Sequence, residues 1–232
     1  MAYDINSIES LSFREGVRKR IQIYHGSDDI EGTYQALKEI INNSTDEALA
    51  GYGKRIDIRV NEIENSICVR DYGRGVPFGI RENGENVLES IYTKSHTGGK
   101  FSNDSYKNAS GLNGIGGSCV CLSAKEFYVK SYRNGTVATL TCSQGIPTSY
   151  KEESTKIKNG TEVFFIPDPE VFCNGEIGFS LERICEDVRN ISYLYSGIIF
   201  SVCGTLKDGT EDGYVFCAKN GIIDFVKDNI PK

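Results

Sequence analysis

The chain has no tryptophan, one methionine, five prolines and two histidines in 232 residues, and each scarcity excludes something. Its eight cysteines (68, 119, 121, 142, 173, 185, 203 and 217) form no CxxC pair, and only His25 and His96 could join them, so no zinc site is expected. The prolines stand singly at 77, 147, 167, 169 and 231, which leaves no Pro-rich linker and makes one continuous domain, 1–232, the simplest organisation. No apolar run approaches the roughly 18 residues that span a bilayer, and the opening MAYDINSIESLSF has neither a basic n-region nor an apolar stretch. A cytoplasmic chain without membrane contact is expected, its thiols reduced and serving as small hydrophobes. A basic excess is missing as well. The 26 Lys+Arg against 32 Asp+Glu give a formal charge of −6, the wrong sign for a general binder of phosphate backbones.

What is present, 39% hydrophobic and 25% charged residues, is the mixture of a globular chain with a real core. The segment Thr33 to Ala50 reads as a helix stopped by Gly51, with Tyr34, Leu37, Ile41 and Ala48 on one face. Glu39, Asn43 and Asp46 line the opposite face, the first functional clue. RIDIRV (55–60) and SICVRD (66–71) make a hairpin ending at Asp71, and FYVKSY and TVATLTC make another around Asn134-Gly135. TEVFFI (161–166) is a further strand. Ser180 caps a second long helix, and GIIFSV, GYVFCA and GIIDFVKD follow as strand, strand and short helix. Hairpins interrupted by helices indicate an α+β fold with a mixed, mostly antiparallel sheet rather than a doubly wound one.

Glycines cluster at 73–84 and 98–117. No GKS or GKT is present, which excludes a Walker A loop, and GLNGIGGS (111–118) lacks the preceding strand a Rossmann fingerprint requires. A glycine-rich turn opening an apolar segment can still aim backbone N–H groups at phosphates. DYGRGVP (71–77) sets an acid at a strand end immediately before two glycines and a proline.

The ordered set ExxxNxxDEALAG, DxGRGxP, GGKF, SYK, GLxGxG and GT resembles the ATPase domain of the bacterial type II topoisomerases, of the gyrase B or topoisomerase IV B kind, within the wider GHKL ATPase group. The likeness runs from about Ser7 to Asp228. It implies a Bergerat-type two-layer α/β sandwich with helices on one face of the sheet, and ATP and Mg²⁺ as ligands. By the same resemblance Glu39 is the general base that activates water, and Asn43 is the one protein ligand of Mg²⁺. Asp71 accepts the adenine amino group, with Thr161 assisting through water. Asp46 and Arg74 are implied to form a supporting pair, and Gly75 and Pro77 the adenine wall. A lid over residues 80–117 contributes Gly99, Lys100, Tyr106 and the GLNGIG turn (Gly111, Leu112, Asn113, Gly114, Ile115, Gly116), while Arg133 stands at the pocket mouth.

The chain departs from the family in three places. Ile21-Gln22-Ile23-Tyr24-His25-Gly26 replaces a Pro-Gly-Met-Tyr-Ile-Gly segment and leaves that turn's conformation open, Asn113 stands for a histidine, and Asn42 for an aspartate. The resemblance further implies homodimerisation through an N-terminal arm (1–15), a DNA-cleaving partner subunit, and DNA contact through other domains. Because the family's γ-phosphate lysine lies in a second domain, an isolated, weakly active ATPase domain is expected. A chaperone or mismatch-repair ATPase is the alternative within the group, against which DEALAG and SYK argue. A nucleotide-switched module without turnover is the alternative outside it, against which Glu39 argues.

Overall fold

The computed structural model describes residues 10–95, 97 and 114–230. In chain order the elements are α1 (Phe13–Lys19), α2 (Ile21–His25), α3 (Ile30–Leu49), β1 (Arg55–Asn61), β2 (Ser66–Asp71), α4 (Val87–Thr93), α5 (Gly116–Ser123), β3 (Ala124–Arg133), β4 (Thr136–Ser143), β5 (Ile146–Ser154), β6 (Gly160–Pro167), α6 (Leu181–Leu194), β7 (Ile199–Thr205), β8 (Glu211–Phe216) and α7 (Ile222–Asn229). One sheet of eight strands runs β5-β4-β3-β6-β2-β1-β7-β8. Every neighbouring pair is antiparallel except β1 with β7, which bridges the sheet to its C-terminal hairpin. The expected α+β sandwich is therefore present.

Period-2 alternation sorts the strands' side chains into two layers. Ile56, Ile58 and Val60 of β1, Ile67 and Val69 of β2, Val163 and Phe165 of β6 and Val129 of β3 face the helices. They join Leu37, Ile40 and Ile41 of α3 and Val120 of α5 in the main core. Helix α3 begins three residues earlier than the sequence suggests, because the Asp29 side chain caps it by accepting from the Glu31 N–H. Gly51 follows it at φ +91°, as its stop residue should. The open segment after Arg20 is helical: without the family's proline and glycine, Ile21–His25 forms α2, closed by Gly26 at φ 76°, and buries Ile21 and His25. Arg14 and Arg18 then tie α1 to the body, Arg18 pairing with Asp168 at 2.7 Å.

Candidate active site

Asp71 closes β2 on its helix-facing side, in line with Ile67 and Val69, and is 7% exposed. Two backbone N–H groups donate to the same oxygen, Gly73 to Oδ1 at 2.9 Å and Thr161 to Oδ1 at 3.1 Å. Oδ2 has no donor among the described residues. Burial pushes the Asp71 carboxyl up to about 6 against the pull of those two N–H groups, with Glu47 adding to the rise and Arg70 opposing it. Strand β6 comes close enough to donate only because Gly160, at φ +146°, has no Cβ: one built there would run into the Asp71 backbone carbonyl.

Helix α3 presents Glu39 and Asn43 one turn apart on one face. The start of α5 lies directly over them. A Cβ on Gly116 would overlap the Glu39 carboxylate, and one on Gly117 would stand 3.9 Å from Asn43 Nδ2 and 3.4 Å from Tyr92 Cε1. The missing Cβ at Gly116 thus lets the helix N-terminus approach Glu39, while Gly117 lies in ordinary contact range of Asn43. No side chain caps that terminus and no acid occupies its first turn, so its leading N–H groups and the positive end of its dipole suit an anion.

Arg74 makes a two-pronged pair with Glu47, Nε to Oε1 at 2.8 Å and Nη2 to Oε2 at 2.9 Å, and its backbone N–H donates to the same Oε1 at 2.9 Å. A Cβ on Gly73 would strike the Glu47 Cγ, and the Arg74 guanidinium lies 3.8 Å over the Tyr52 ring. Glu47 therefore clamps the DYGRG turn onto α3. The sequence points to Asp46 for this part; Asp46 is buried beside it, and the clamp is its neighbour Glu47, the second acid of DEALAG. Gly75, at φ +77°, packs against the carbonyls of Tyr132 and Gly160, and Arg133 Nη1 donates to the Gly75 carbonyl at 2.6 Å. Ser131 Oγ secures the next residue through the Val76 carbonyl at 2.6 Å, and Pro77 emerges exposed. Arg133 is thus placed at the turn, with its guanidinium holding the backbone.

Of the expected lid, Gly99, Lys100, Tyr106, Gly111, Leu112 and Asn113 lie outside the described residues. Gly114, at φ +61°, and Ile115, the N-cap residue, lead into Gly116. Residues 87–93, counted in the lid from sequence, form α4, whose Leu88 and Tyr92 belong to the main core. Among the described residues no group of three His, Cys, Asp or Glu could hold a metal by itself.

The site thus combines a buried carboxylate with one open oxygen, a carboxylate and an amide spaced along one helix, and an uncapped glycine helix start. The family model described as histidine kinase-, DNA gyrase B-, and HSP90-like ATPase matches residues 28–170. The DNA gyrase B protein of Thermus thermophilus is 38% identical over 231 residues, 98% of this chain and 36% of that protein. The DNA topoisomerase 4 B protein of Mycoplasma capricolum is 36% identical over 229 residues, 97% of this chain and 34% of that protein. Among solved structures, the 43K ATPase domain of T. thermophilus gyrase B in complex with an aminocoumarin superposes with a TM-score of 0.77 at 33% identity, covering 93% of this chain and 54% of that one. The chain spans about a third of the length of the curated relatives it matches. With the motifs of its sequence, the geometry of its pocket and these likenesses in agreement, the chain belongs to the histidine kinase-, DNA gyrase B- and HSP90-like ATPase family, as an ATPase domain of the gyrase B and topoisomerase IV B type.

Proposed function

We propose that this chain binds ATP with Mg²⁺ and hydrolyses it as the ATPase portion of a cytoplasmic type II topoisomerase. One observation carries the reading: Glu39 and Asn43 converge on the glycine start of α5, where triphosphate oxygens would lie against the helix N-terminus. Asp71 Oδ2 accepts the exocyclic amine of adenine, and the Thr161 N–H fixes the carboxylate's other oxygen. Gly75 and Pro77 border the base, held by Arg133 and by the Arg74–Glu47 pair. Glu39 orients and deprotonates the attacking water at its carboxylate. Asn43 suits Mg²⁺, a hard ion that keeps several waters and needs few protein ligands; its side-chain amide oxygen would hold the ion, which would supply neutralisation of the phosphate charge. Gly99, Lys100, Tyr106 and the Gly111–Leu112–Asn113 turn complete the lid in this reading. In the full-length protein the arm at 1–15 joins two copies, strand passage uses a DNA-cleaving partner subunit, and DNA is contacted elsewhere.

General-base assistance contributes about 10² to 10⁴ in rate. Glu39→Gln should therefore keep Mg²⁺-dependent ATP binding, measured by calorimetry, while single-turnover hydrolysis falls by at least about a hundredfold. A parallel collapse of affinity would remove Glu39 from the base role.

A further inference from the structure

Helix α5 is open at one end and tied down at the other. It is eight residues long, too short to hold itself in water, and Gly114, Gly116 and Gly117 leave its start with few side chains to fix it. At its far end each of the last four carbonyls has a donor. The Ser123 hydroxyl takes the Val120 carbonyl at 3.3 Å, and the Ala124 N–H takes that of Cys121. Arg18 Nη1 of α1 takes the Leu122 carbonyl at 3.3 Å, and the Asp168 N–H takes that of Ser123 at 3.2 Å. Arg18 Nη2 meets Asp168 Oδ2 at 2.7 Å, so the two outside donors are joined to each other. Their side chains are 13% and 2% exposed, whereas Glu170, 3.6 Å from the same Nη2, stands in water. Arg18 therefore sets a largely buried cation at the negative end of the α5 dipole. Around it, Val17 and Ile21 pack with Cys119 and Leu122 of α5, and Ile115 at the helix start leans on the same cluster.

We propose that Arg18 and Asp168 are positioning residues of the nucleotide site, fixing α5 by its C-terminal carbonyls so that its glycine start meets the triphosphate. The inference rests on the ATP reading above. Both residues act through the helix, from the end remote from Gly116 and Glu39. The adenine end of the pocket is held by other contacts, the pairing of β2 with β6, the two N–H groups on Asp71 Oδ1 and the Glu47 clamp on the DYGRG turn. Loosening α5 therefore acts on the phosphates and spares the base.

Arg18→Lys keeps a cation for Asp168 and loses the fork that also reaches Leu122. Asp168→Asn keeps its backbone N–H on Ser123 and loses the charge that orients Arg18. Affinity for ATP is measured by calorimetry and affinity for adenosine, which has no phosphate, by ligand-observed NMR, with thermal melts to confirm the fold. ATP affinity should fall about tenfold in each variant, within the worth of one charge-assisted hydrogen bond, while adenosine affinity stays within about twofold. Equal weakening of ATP and adenosine overturns the assignment, because a merely structural pair lowers both alike. ATP affinity unchanged in a folded variant overturns it too, as does loss of folding in both variants, which makes the pair a requirement of the fold. An unsubstituted chain that binds ATP no tighter than adenosine overturns the seat of the triphosphate on α5 instead.

Discussion

Two buried titratable residues near the site, Asp71 and His25, respond to acid in opposite directions. Asp71 has its carboxyl raised from 3.8 to about 6, chiefly by burial, so the fold favours its protonated form. Its contribution to stability is fully present below 3.8 and lost as pH rises through 6, a cost of up to about 3 kcal/mol at neutral pH. His25 meets Ser123 Oγ through Nε2 at 3.3 Å, stacks on Phe172, and leaves Nδ1 without a well-formed hydrogen bond. Burial lowers it from 6.5 to about 4, so its contribution is present above 6.5 and lost as pH falls through 4. Asp71→Asn should therefore gain roughly 1–2 kcal/mol at pH 8 and almost nothing at pH 4, while His25→Gln should flatten the acid side. Urea unfolding at half-unit steps of pH reads both. In the proposed function the gain in Asp71→Asn carries a functional loss, because there the ionised carboxylate is the acceptor for adenine. ATP affinity of the unsubstituted chain should fall as pH drops through 6, and the variant should bind weakly with no such step. A pH-independent affinity in the unsubstituted chain would contradict the role given to Asp71.

At the scale of elements, glycines decide how close the pieces of the site come, and two of them should fail differently. A Cβ on Gly116 meets the far end of the Glu39 side chain, which can move aside. Gly116→Ala should stay within about 1 kcal/mol in stability yet lose turnover as Glu39→Gln does, because the carboxylate is displaced. A Cβ on Gly75 meets the Tyr132 carbonyl at 2.6 Å, and the residue sits at φ +77°, so neither neighbour nor backbone can yield. Gly75→Ala should cost roughly 2–4 kcal/mol, seen as a lowered urea midpoint. Equal effects in both variants would refute the distinction. The same elements mark what is legible in the sequence. The polar stripe of α3 and the Asn134-Gly135 hairpin announce themselves by period and turn chemistry. Strand β5 does not, being an edge strand exposed along most of its length with no alternation to read. Helix α1 is short, and the one local signal that marks it is the Ser12/Glu15 capping box. Glu47 is hidden because its role depends on the DYGRG turn folding back onto α3, a contact between residues 27 apart in sequence.

Across the whole molecule, one sheet keeps two different chemistries apart. Arg70 and Asp71 are neighbours in β2, as Thr161 and Glu162 are in β6, and alternation sends one of each pair to either face. The face away from the helices carries a row of alternating charge in register, Lys130 opposite Glu162, Glu162 opposite Arg70 and Arg70 opposite Asp57. Glu162, 7% exposed, gathers Arg59 at 3.2 Å, Lys130 at 3.5 Å and Arg70 at 3.9 Å, and the Arg70 guanidinium lies 4.2 Å over the Tyr132 ring. Removing that carboxylate leaves the buried Arg70 facing two other cations. Glu162→Leu should destabilise the chain by about 3 kcal/mol, and Glu162→Gln, which keeps the volume, by somewhat less. ATP affinity should stay within about twofold in both variants, because Asp71, the carboxylate proposed to read the base, stands on the opposite face of the sheet. Affinity falling in step with stability would mean that Arg70, through its strand, sets the position of Asp71, and that the two faces are not independent.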